Sequence, residues 1–352
     1  MSKIIVSLVL IFIIIACVDF ALHLSGINTQ EYFQPRYYEN EIRRENLTDY
    51  SFTEDFDNKM LKGLGHISNK RIVFSSLCRN AEKIIPHAFK NISNCVAKFK
   101  DYRVLIFEND SADNTRQQIK YSIEQQTDKD KWILMDCCSN GSCECILGIS
   151  NPKSHGALSI SRIEKMANYR NEVLNLVREK YKDFDYFVVY DFDIRGGIFM
   201  EGFFQTFHNY QDWDAVMSRG LKPFPFTYGL YNCVHDAQAY VKDNPGEYDD
   251  NVVAKFLNQQ YYLRGSTLGA EYIKVRSAFN GLGIYKMNSV INSEYYPGKN
   301  NVLCEHVGLH ENMIKLGNDK IFINQSLILQ TGLENESMIP FYEYLSWFKK
   351  SK

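Results

Sequence analysis

The sequence predicts an α/β fold in which a mostly parallel central sheet is flanked by helices. Between residues 72 and 190, short apolar runs alternate with segments of helical spacing, which is the pattern of a sheet covered by helices. Residues 186–190 (YFVVY) show no polar alternation, as expected of a central parallel strand that is buried on both faces. Residues 162–180 have the clearest helical spacing of apolar side chains in the chain.

The elements follow in chain order from these periodicities. Strands are expected at residues 72–77, 102–107, 132–135 and 186–190, and helices at residues 82–99, 115–126 and 162–180. The second half of the chain is more mixed, and extended segments are expected at residues 215–218, 278–287 and 321–329.

The N-terminal segment has the composition of a membrane anchor. Residues 4–18 are almost wholly apolar and follow a single positive charge, Lys3. A spanning helix needs about 20 apolar residues, so this segment is of borderline length. We interpret residues 1–24 as an uncleaved signal anchor, with a cleaved signal peptide as the alternative. Either reading places the main body outside the cytoplasm.

The remaining chain divides into three predicted parts. Residues 25–66 are polar and weakly patterned, which is typical of a stem. Residues 67–335 are predicted to form one large domain with a sizeable core, and residues 336–352 a C-terminal tail.

Composition excludes several classes of protein. The formal net charge is -2 and no basic tract occurs, so nucleic acid is not expected as a partner. Aromatic residues make up 14% of the chain, which is too apolar for a disordered protein. The sequence also lacks a glycine-rich loop that ends in Lys and Ser or Thr, which argues against a P-loop kinase or ATPase.

Cysteine usage and glycosylation sequons bear on the compartment. Cys137, Cys138, Cys143 and Cys145 crowd into one loop, where disulfide bonds are expected in an oxidising compartment. Zinc and free thiols are the alternatives, because this spacing is not a common zinc pattern. Acceptor sequons occur at Asn46, Asn91, Asn109, Asn324 and Asn335. Glycosylation is predicted at these positions except Asn109, which lies in a candidate site.

Two carboxylates follow the buried strand at residues 186–190. Asp191 and Asp193 are two residues apart, so an extended chain would project them to the same side. Two carboxylates on one side can face a hard cation and leave positions for phosphate oxygens. Ligands of open α/β sheets bind beyond the carboxyl ends of the strands. A divalent-metal site is therefore predicted here, with a turn bearing two solvated carboxylates as the alternative.

A second polar segment, residues 107–115 (FENDSADNT), follows the predicted strand at residues 102–107. Glu108 at the strand end could hold a ribose hydroxyl or a base NH, as acidic residues do in other nucleotide-binding folds. The structural alternative is that Ser111, Asp113 or Thr115 caps the following helix.

Arg170 lies on the apolar face of the helix at residues 162–180, so its guanidinium must find a partner. The partner is either a structural carboxylate or a pyrophosphate. Gly281 and Gly283 interrupt an extended segment, which suggests a close backbone approach to a ligand or a bulge.

His306 and His310 are four residues apart, so a helix would align them on one face beside Glu305. Histidine is a common metal ligand, and Glu305 could accept a proton from a hydroxyl. A structural role for both histidines is the alternative.

Taken in order, these segments resemble the GT-A class of glycosyltransferases. Residues 108–115 are similar to the D-D-x-S-x-D-x-T segment of family-2-type enzymes, Arg170-Asn171 to their A-R-N helix, and Asp191-Phe192-Asp193 to their metal-binding D-x-D. Residues 277–285 resemble their glycine-containing loop, and residues 304–306 their x-E-D segment with histidine in place of aspartate. The runs RNAE, FENDSADNTR and SAFNGLGIYK are also similar to capsule-associated fungal α-1,3-mannosyltransferases.

The resemblance covers about residues 71–330 and implies a GT-A (nucleotide-diphospho-sugar transferase) fold in the domain at residues 67–335. It implies a hexosyltransferase, with mannosyltransferases among the similar enzymes, that transfers sugar from a nucleotide-sugar donor to a glycan or protein acceptor. With the anchor and stem, this is the layout of single-pass Golgi or endoplasmic-reticulum enzymes whose catalytic domain is lumenal.

The resemblance also implies roles for individual residues. Mn2+, with Mg2+ as the alternative ion, would be bound by Asp191 and Asp193, with His306 and His310 as further ligands. The donor would be bound by Arg79, Glu108, Asn109, Asp113, Arg170, Asn171, Gly281 and Gly283. Asp193 and Glu305 would be catalytic, Glu305 as the general base if the enzyme inverts. The alternatives are another metal-dependent nucleotide-using enzyme, such as a nucleotidyltransferase, and an inactive GT-A-like domain that binds glycans.

Overall fold

The computed structural model describes ten stretches of the chain. These are residues 42–47, 50–109, 111–136, 160–194, 196–223, 232–234, 236, 239–243, 267–297 and 304–331. The predicted anchor at residues 1–24, the cysteine loop at residues 137–145 and the tail at residues 336–352 lie outside them. Within these stretches, no helix has both the length and the apolar character needed to cross a membrane.

Ten strands of the described chain form one sheet. They are β2 (Arg71–Cys78), β3 (Asp101–Glu108), β4 (Trp132–Asp136), β5 (Tyr186–Tyr190), β6 (Ala215–Pro223), β7 (Asn232–Val234), β8 (Val241–Lys242), β10 (Ile273–Ser277), β11 (Leu282–Lys286) and β12 (Ile321–Gln330). Their order in the sheet is β4-β3-β2-β5-β11-β6-β12-β10-β8, with β7 paired to β6. The short strands β1 (Ser51–Phe52) and β9 (Thr267–Leu268) pair separately in parallel.

Helices cover both faces of this sheet. They are α1 (Phe56–Ile67), α2 (Ile85–Val96), α3 (Thr115–Glu124), α4 (Ile160–Lys180), α5 (Met200–Gln205), α6 (Met287–Val290) and α7 (Glu305–Lys315). Buried side chains of α1, α2, α3 and α5 share one apolar cluster with one face of the sheet. Buried side chains of α4, α6 and α7 share a second cluster with the opposite face. The architecture is therefore a mixed α/β fold with two cores.

The predicted α/β class and the predicted strands and helices up to residue 190 are confirmed, with boundaries shifted by a few residues. The predicted helix at residues 82–99 begins as a 3-10 turn and ends at Val96. The expectation of a mostly parallel sheet holds for β4, β3, β2 and β5 and for the pair β6 and β12. Between these two groups β11 is antiparallel to both of its neighbours. Parallel pairing requires crossover connections, and the regular strand-helix alternation ends after β5.

Part of the predicted stem belongs to the folded domain. Ile42, Leu47 and Phe56 are buried in a third apolar cluster with Phe199 and residues of β6, β9 and β12. The helix α1 also packs against α5. The apolar side chains in this region are sparse and are brought together only by contacts with distant elements, so their local pattern did not reveal the fold.

Two glycines in α1 provide a matched test of this docking. A methyl group at Gly63 would overlap the carbonyl oxygen of Phe204, whereas nothing lies within 4 Å of the corresponding position at Gly65. We expect Gly63→Ala to lower the free energy of unfolding by about 1–3 kcal/mol through overpacking. Gly65→Ala should raise it by up to about 1 kcal/mol through helix propensity. Urea denaturation of both variants measures the difference, and equal effects would mean that α1 does not dock in this way.

Two of the predicted glycosylation positions are incompatible with the structure. Asn91 is buried in α2, where its amide donates hydrogen bonds to the hydroxyl of Tyr190 and the carbonyl of Gly196. Asn324 is fully buried in β12 and donates to Gln205 and Thr206. A glycan at either position would require removing a core side chain, so the sequon reading is wrong at both. Asn335 lies outside the described residues.

The order of the strands creates a switch point between β2 and β5. From β2 the chain proceeds to β3 and β4 on one side through α2 and α3, and then returns through α4 to β5 on the other side of β2. Right-handed crossovers in opposite directions place these helices on opposite faces. Ligands of open α/β sheets bind outside the carboxyl ends of the strands at such a point. A ligand site is therefore expected beyond Cys78 and Tyr190, where β2 and β5 end.

Candidate functional site

The segment that follows β5 is a turn rather than an extension of the strand. The amide of Ile194 donates to the carbonyl of Asp191 at 3.3 Å, and the amide of Asp191 donates to the carbonyl of Gly281 at 2.9 Å. Phe192 is buried against Phe89. The extended geometry assumed from the sequence for Asp191 and Asp193 is thus wrong. The turn leaves the Asp191 side chain 30% exposed and the Asp193 side chain exposed at the edge of the sheet.

Arg170 on α4 is the centre of a buried ion cluster. Its Nε donates to Oε1 of Glu305 at 2.9 Å, and its Nη2 lies 3.4 Å from Oδ1 of Asp191. The side chain of Arg170 is 6% exposed and that of Glu305 8%. The sequence predicts either a structural carboxylate or a pyrophosphate as the partner of Arg170. In the structure the partner is a carboxylate, that of Glu305. The same contacts join α4, α7 and the turn after β5.

The pKa values of the residues in this cluster depend on their burial and on each other's charge. Burial opposes the charged guanidinium, but the carboxylates of Glu305 and Asp191 outweigh it and raise the pKa of Arg170 above its usual value. Burial also raises the pKa of Asp191 well above its usual value. Arg170 opposes that rise, while the neighbouring carboxylates of Asp193, Asp236 and Glu305 add to it. One guanidinium therefore faces several carboxyl groups in this cluster.

Asp236 belongs to the same cluster but carried no sequence signal. Its backbone carbonyl accepts a hydrogen bond from the amide of Ala239 at 3.3 Å, and the backbone groups of Asn280 and Ala239 act to lower the pKa of its carboxyl. Burial and the nearby Glu305 nevertheless raise its pKa to about 6. The residue has a positive φ of 62°, which is uncommon for a residue other than glycine and often marks a functional site. A single aspartate outside any recognised motif gives no local indication of this position.

Two aromatic rings lie close to the guanidinium of Arg170. The guanidinium carbon lies 5.4 Å from the ring centre of Phe279 and 6.0 Å from that of Tyr295, which is within the range of cation–π attraction. Both rings are almost fully buried. Tyr295 was not identified from the sequence, because its role depends on contact with a helix more than 100 residues away.

Glu305 and His306 begin α7, as the predicted helical alignment requires. His306 stacks on Phe279 with ring centres 3.6 Å apart, and its Nε2 lies 3.7 Å from Oε1 of Glu305. In the described part of the chain, neither ring nitrogen of His306 has a hydrogen-bond partner. Burial, with the charge of Arg170, holds the pKa of His306 well below its usual value. A neutral imidazole thus lies beside the ion cluster.

His310 is placed differently and does not join the cluster. Its Nδ1 pairs with the hydroxyl of Ser277 at 2.8 Å and its Nε2 with the hydroxyl of Tyr285 at 3.1 Å. The residue is fully buried. Because both ring nitrogens are engaged in the core, His310 is not available as a metal ligand, and the structural alternative applies to it.

The burial of His310 leads to a prediction about acid stability. Burial lowers the pKa of His310 to about 3, whereas an unfolded histidine titrates near 6.5. The contribution of neutral His310 to the free energy of unfolding is complete above pH 6.5. It is lost as the pH falls towards 3, because in this range the unfolded chain binds a proton at this histidine and the folded chain does not. At pH 5 the loss should be about 2 kcal/mol. Urea unfolding of the wild type and His310→Gln at pH 7.5 and 5 checks this. An equally steep pH dependence in the variant would contradict it.

The loops that follow β2 and β3 are bonded to each other. The amide of Ala112 donates to Oδ1 of Asn80 at 2.8 Å, and the amide of Ala81 donates to Oγ1 of Thr115 at 2.7 Å. Asp113 accepts hydrogen bonds from the amides of Thr115 and Glu82. Of these contacts, only the bond from the Thr115 amide to Asp113 satisfies an amide of α3, and Asn114 at the N-cap position makes no side-chain capping hydrogen bond. The other contacts join the two loops.

Glu108 at the end of β3 has no exposed surface. Its Oε2 accepts two hydrogen bonds from Arg116, at 2.8 and 2.6 Å, and its Oε1 accepts one from the amide of Ser111. Asn109 is also buried, whereas Arg79 is exposed beyond the end of β2. Among Arg79, Glu108 and Asn109, it is therefore Arg79 that is exposed to solvent at the carboxyl ends of β2 and β3.

Gly281 and Gly283 have internal roles. Asn280 and Gly281 have φ values of 60° and 90° and form a turn in which the amide of Leu282 donates to the carbonyl of Phe279. This turn supplies the carbonyl that holds Asp191. A methyl group at Gly283 would lie 2.8 Å from the sulfur of Met217, so this glycine serves the packing of β11 against β6. Gly281 therefore lies beside the Asp191 turn, and a close approach of its backbone to a donor stays a prediction.

The structure therefore brings together some of the predicted residues and separates others. Asp191, Arg170, Glu305 and His306 meet at the switch point, and Asp193 lies at its exposed rim. Glu108 and Asp113 remain at the end of β3, and His310 is in the core. Across the described ranges, no group of three or more His, Cys, Asp or Glu side chains is arranged to hold a metal ion. Cys78, Cys95 and Cys304 are free thiols.

Comparisons with known proteins give likenesses in structure alone. The sequence matches no protein-family model and no curated protein. The mannosyltransferase PcManGT from Pyrobaculum calidifontis, in complex with GDP-Man and Mn2+, is 11% identical with a TM-score of 0.44. That alignment covers 85% of this chain and 73% of the other.

Two further structures have similar values. Glucosyl-3-phosphoglycerate synthase from Mycobacterium tuberculosis, in complex with phosphoglyceric acid, is 11% identical with a TM-score of 0.41, covering 85% of this chain and 84% of the other. TarS 1-349 from S. aureus is 11% identical with a TM-score of 0.41, covering 78% of this chain. This chain spans 62% of that TarS fragment.

Proposed function

We propose that this chain is a GT-A-type glycosyltransferase that uses a nucleotide-diphosphate sugar and a divalent metal ion to glycosylate a glycan or protein acceptor. The observation that carries the proposal is the cluster at the switch point between β2 and β5. There the D-x-D turn that follows β5 meets the Arg170–Glu305 pair. The order of the motifs in the sequence, which resembles that of GT-A enzymes, supports the same assignment.

The residues at the site fit a metal ion that is completed by the donor. Mg2+ and Mn2+ sites in phosphate-transferring enzymes use one or two carboxylates, with substrate phosphates and water as the other ligands. Asp193 provides an exposed carboxylate at the rim, and Asp191 provides a second that Arg170 orients. When bound, the ion would stabilise the charge that develops on the departing nucleoside diphosphate.

The chain's own residues would orient this chemistry. Arg170 fixes the carboxylate of Asp191 and contributes positive charge beside it. Glu305 already accepts a hydrogen bond from Arg170 through Oε1, so in this arrangement its first role is to hold the guanidinium. Arg79 is placed at the open edge, where it can meet a phosphate.

The test is a screen of nucleotide sugars with the full-length chain in detergent. GDP-mannose and UDP-linked hexoses should be included, and release of nucleoside diphosphate should require Mn2+ or Mg2+. Release of pyrophosphate instead would indicate a nucleotidyltransferase. Binding of glycans with no release of either product would indicate a binding domain and overturn the proposal.

We also propose that residues 1–24 anchor the protein in a membrane with the catalytic domain on the lumenal side. The support is the apolar run after Lys3. After expression in a eukaryotic cell, the intact protein is expected to stay in the membrane pellet during carbonate extraction. Complete release of the uncleaved protein would remove this proposal.

A further inference from the structure

The segment at residues 291–297 runs between α4 and α7 and is held from the α4 side by side chains. Asn171 makes two hydrogen bonds with the backbone of Tyr295: its Nδ2 donates to the carbonyl, and its Oδ1 accepts from the amide, both at 2.8 Å. Two turns further along α4, Arg178 donates to the carbonyl of Ile291 at 2.7 Å and also to that of Ser293. The backbone of this segment is therefore fixed to α4.

The α7 side holds the same segment. A methyl group at Gly308 would overlap the carbonyl oxygen of Tyr296, so the absence of a side chain lets α7 approach the segment closely. Asn312 accepts a hydrogen bond from the amide of Glu294 at 3.2 Å. The two helices that carry Arg170 and Glu305 are thus joined through this segment as well as through their ion pair.

These contacts of Asn171, Arg178 and Asn312 with the segment, which we call the clamp, place the ring of Tyr295 beside the ion cluster. The side chain is almost fully buried, its ring centre lies 6.0 Å from the guanidinium carbon of Arg170, and the ring of His306 meets it edge to face at 5.7 Å. If the backbone at Tyr295 moved, the ring would move with it. The guanidinium would then lose one of the two aromatic rings beside it.

We propose that Asn171 is a positioning residue that acts through Tyr295, holding its ring where it sets the direction of Arg170 towards Asp191. This inference rests on the proposed function for its effect on turnover. It differs from the sequence-based reading, in which Asn171 contacts the donor. Both polar atoms of the Asn171 amide face the Tyr295 backbone, so the amide is turned to the segment and not to the open edge of the sheet.

A double-mutant cycle distinguishes the two roles. The variants are Asn171→Ala, Tyr295→Ala and the double variant, with metal-dependent turnover of the donor as the readout. Each single variant should lose roughly 10- to 100-fold in kcat/KM, since small misplacement of an oriented group has effects of this size. The double variant should be no slower than Tyr295→Ala, because fixing the backbone has no further effect on Arg170 once the ring is gone. Losses that multiply would mean that Asn171 contacts the donor itself and would overturn the proposal.

The free energy of unfolding of the same variants should follow a different pattern from kcat/KM, because Asn171 binds the backbone of residue 295 and not its ring. Asn171→Ala should still lower the free energy of unfolding in the Tyr295→Ala background, because its hydrogen bonds are to the backbone of residue 295, whereas it should cause no further loss of activity there. Tyr295→Phe, which keeps the ring, should retain most of the activity. Glu172→Ala, at the neighbouring exposed position of α4, is the matched control and should change neither quantity.

Hydrogen exchange separates failure of this inference from failure of the proposed function. Asn171→Ala removes the acceptor of the Tyr295 amide, so exchange of the peptide containing Tyr295 should become faster with or without any enzymatic activity. Unchanged exchange would overturn the clamp. A wild-type protein that turns over no nucleotide sugar, with faster exchange in the variant, would instead overturn the proposed function.

Discussion

Replacing Asp193 with asparagine is expected to reduce sugar transfer at least about 100-fold while leaving the fold intact. The side chain is exposed at the rim of the site, and asparagine has nearly the same size and shape as aspartate, so the substitution should not disturb the packing of the core. A hundredfold loss corresponds to about 2.7 kcal/mol of transition-state stabilisation, a reasonable size for a carboxylate that holds the metal ion in a charge-developing step. Kinetics as a function of Mn2+ concentration, with circular dichroism as the fold control, measure this effect.

Two further variants sharpen the Asp193 experiment. Asp212→Asn removes an exposed carboxylate that precedes β6, away from the carboxyl end of β5, and should leave activity unchanged. Asp191→Asn should retain some turnover, because Arg170 holds this carboxylate and its direct share in binding a cation is smaller. A folded Asp193→Asn protein with near-wild-type activity in the presence of EDTA would exclude the proposed metal-dependent mechanism.

The second large effect is expected for Arg170→Met, which should lower the free energy of unfolding at neutral pH by about 3–5 kcal/mol. The substitution leaves the buried Glu305 carboxylate without its partner and removes the charge that offsets Asp191 and Asp236. Removing one member of a buried ion pair is costly because the remaining charge stays desolvated. Urea denaturation at pH 7.5 gives the value.

The Arg170 experiment also has a pH dependence with a defined sign. Without the guanidinium, the carboxylates bind protons more readily in the folded chain than in the unfolded chain, so the deficit should shrink as the pH falls. The double variant Arg170→Met/Glu305→Gln should recover part of the lost stability. Lys180→Met, on the exposed last turn of the same helix, is the control. A loss below about 1 kcal/mol for Arg170→Met would show that the cluster is not the buried network described here.

Local sequence patterns were sufficient for the first half of the fold. The strand β5 was predicted with its observed limits, and β2, β3, β4 and α4 with limits close to those observed. These elements carry apolar periodicities that depend on neighbouring residues, so a window of a few residues records them. The position of Asp191 and Asp193 after a buried strand was likewise readable from the sequence.

Other features were decided by contacts between distant residues. The partner of Arg170 lies 135 residues away in Glu305, and Tyr295 and Asp236 enter the cluster from segments without a motif. His306 and His310 look equivalent in sequence, yet only His310 meets hydroxyl groups of two other strands.

The sequence by itself determined the class of fold, the early strand-helix order and the position of two carboxylates directly after a buried strand. Tertiary structure alone decided the direction of the later strands, the packing of residues 42–47 and 50–67 against the domain, and which polar side chains are paired with one another. The physical reason is that periodicity records which side chains are buried, whereas partnership depends on which buried surfaces meet. Glu305 and Asp191 become partners of Arg170 only when α4, α7 and the turn after β5 converge on one edge of the sheet.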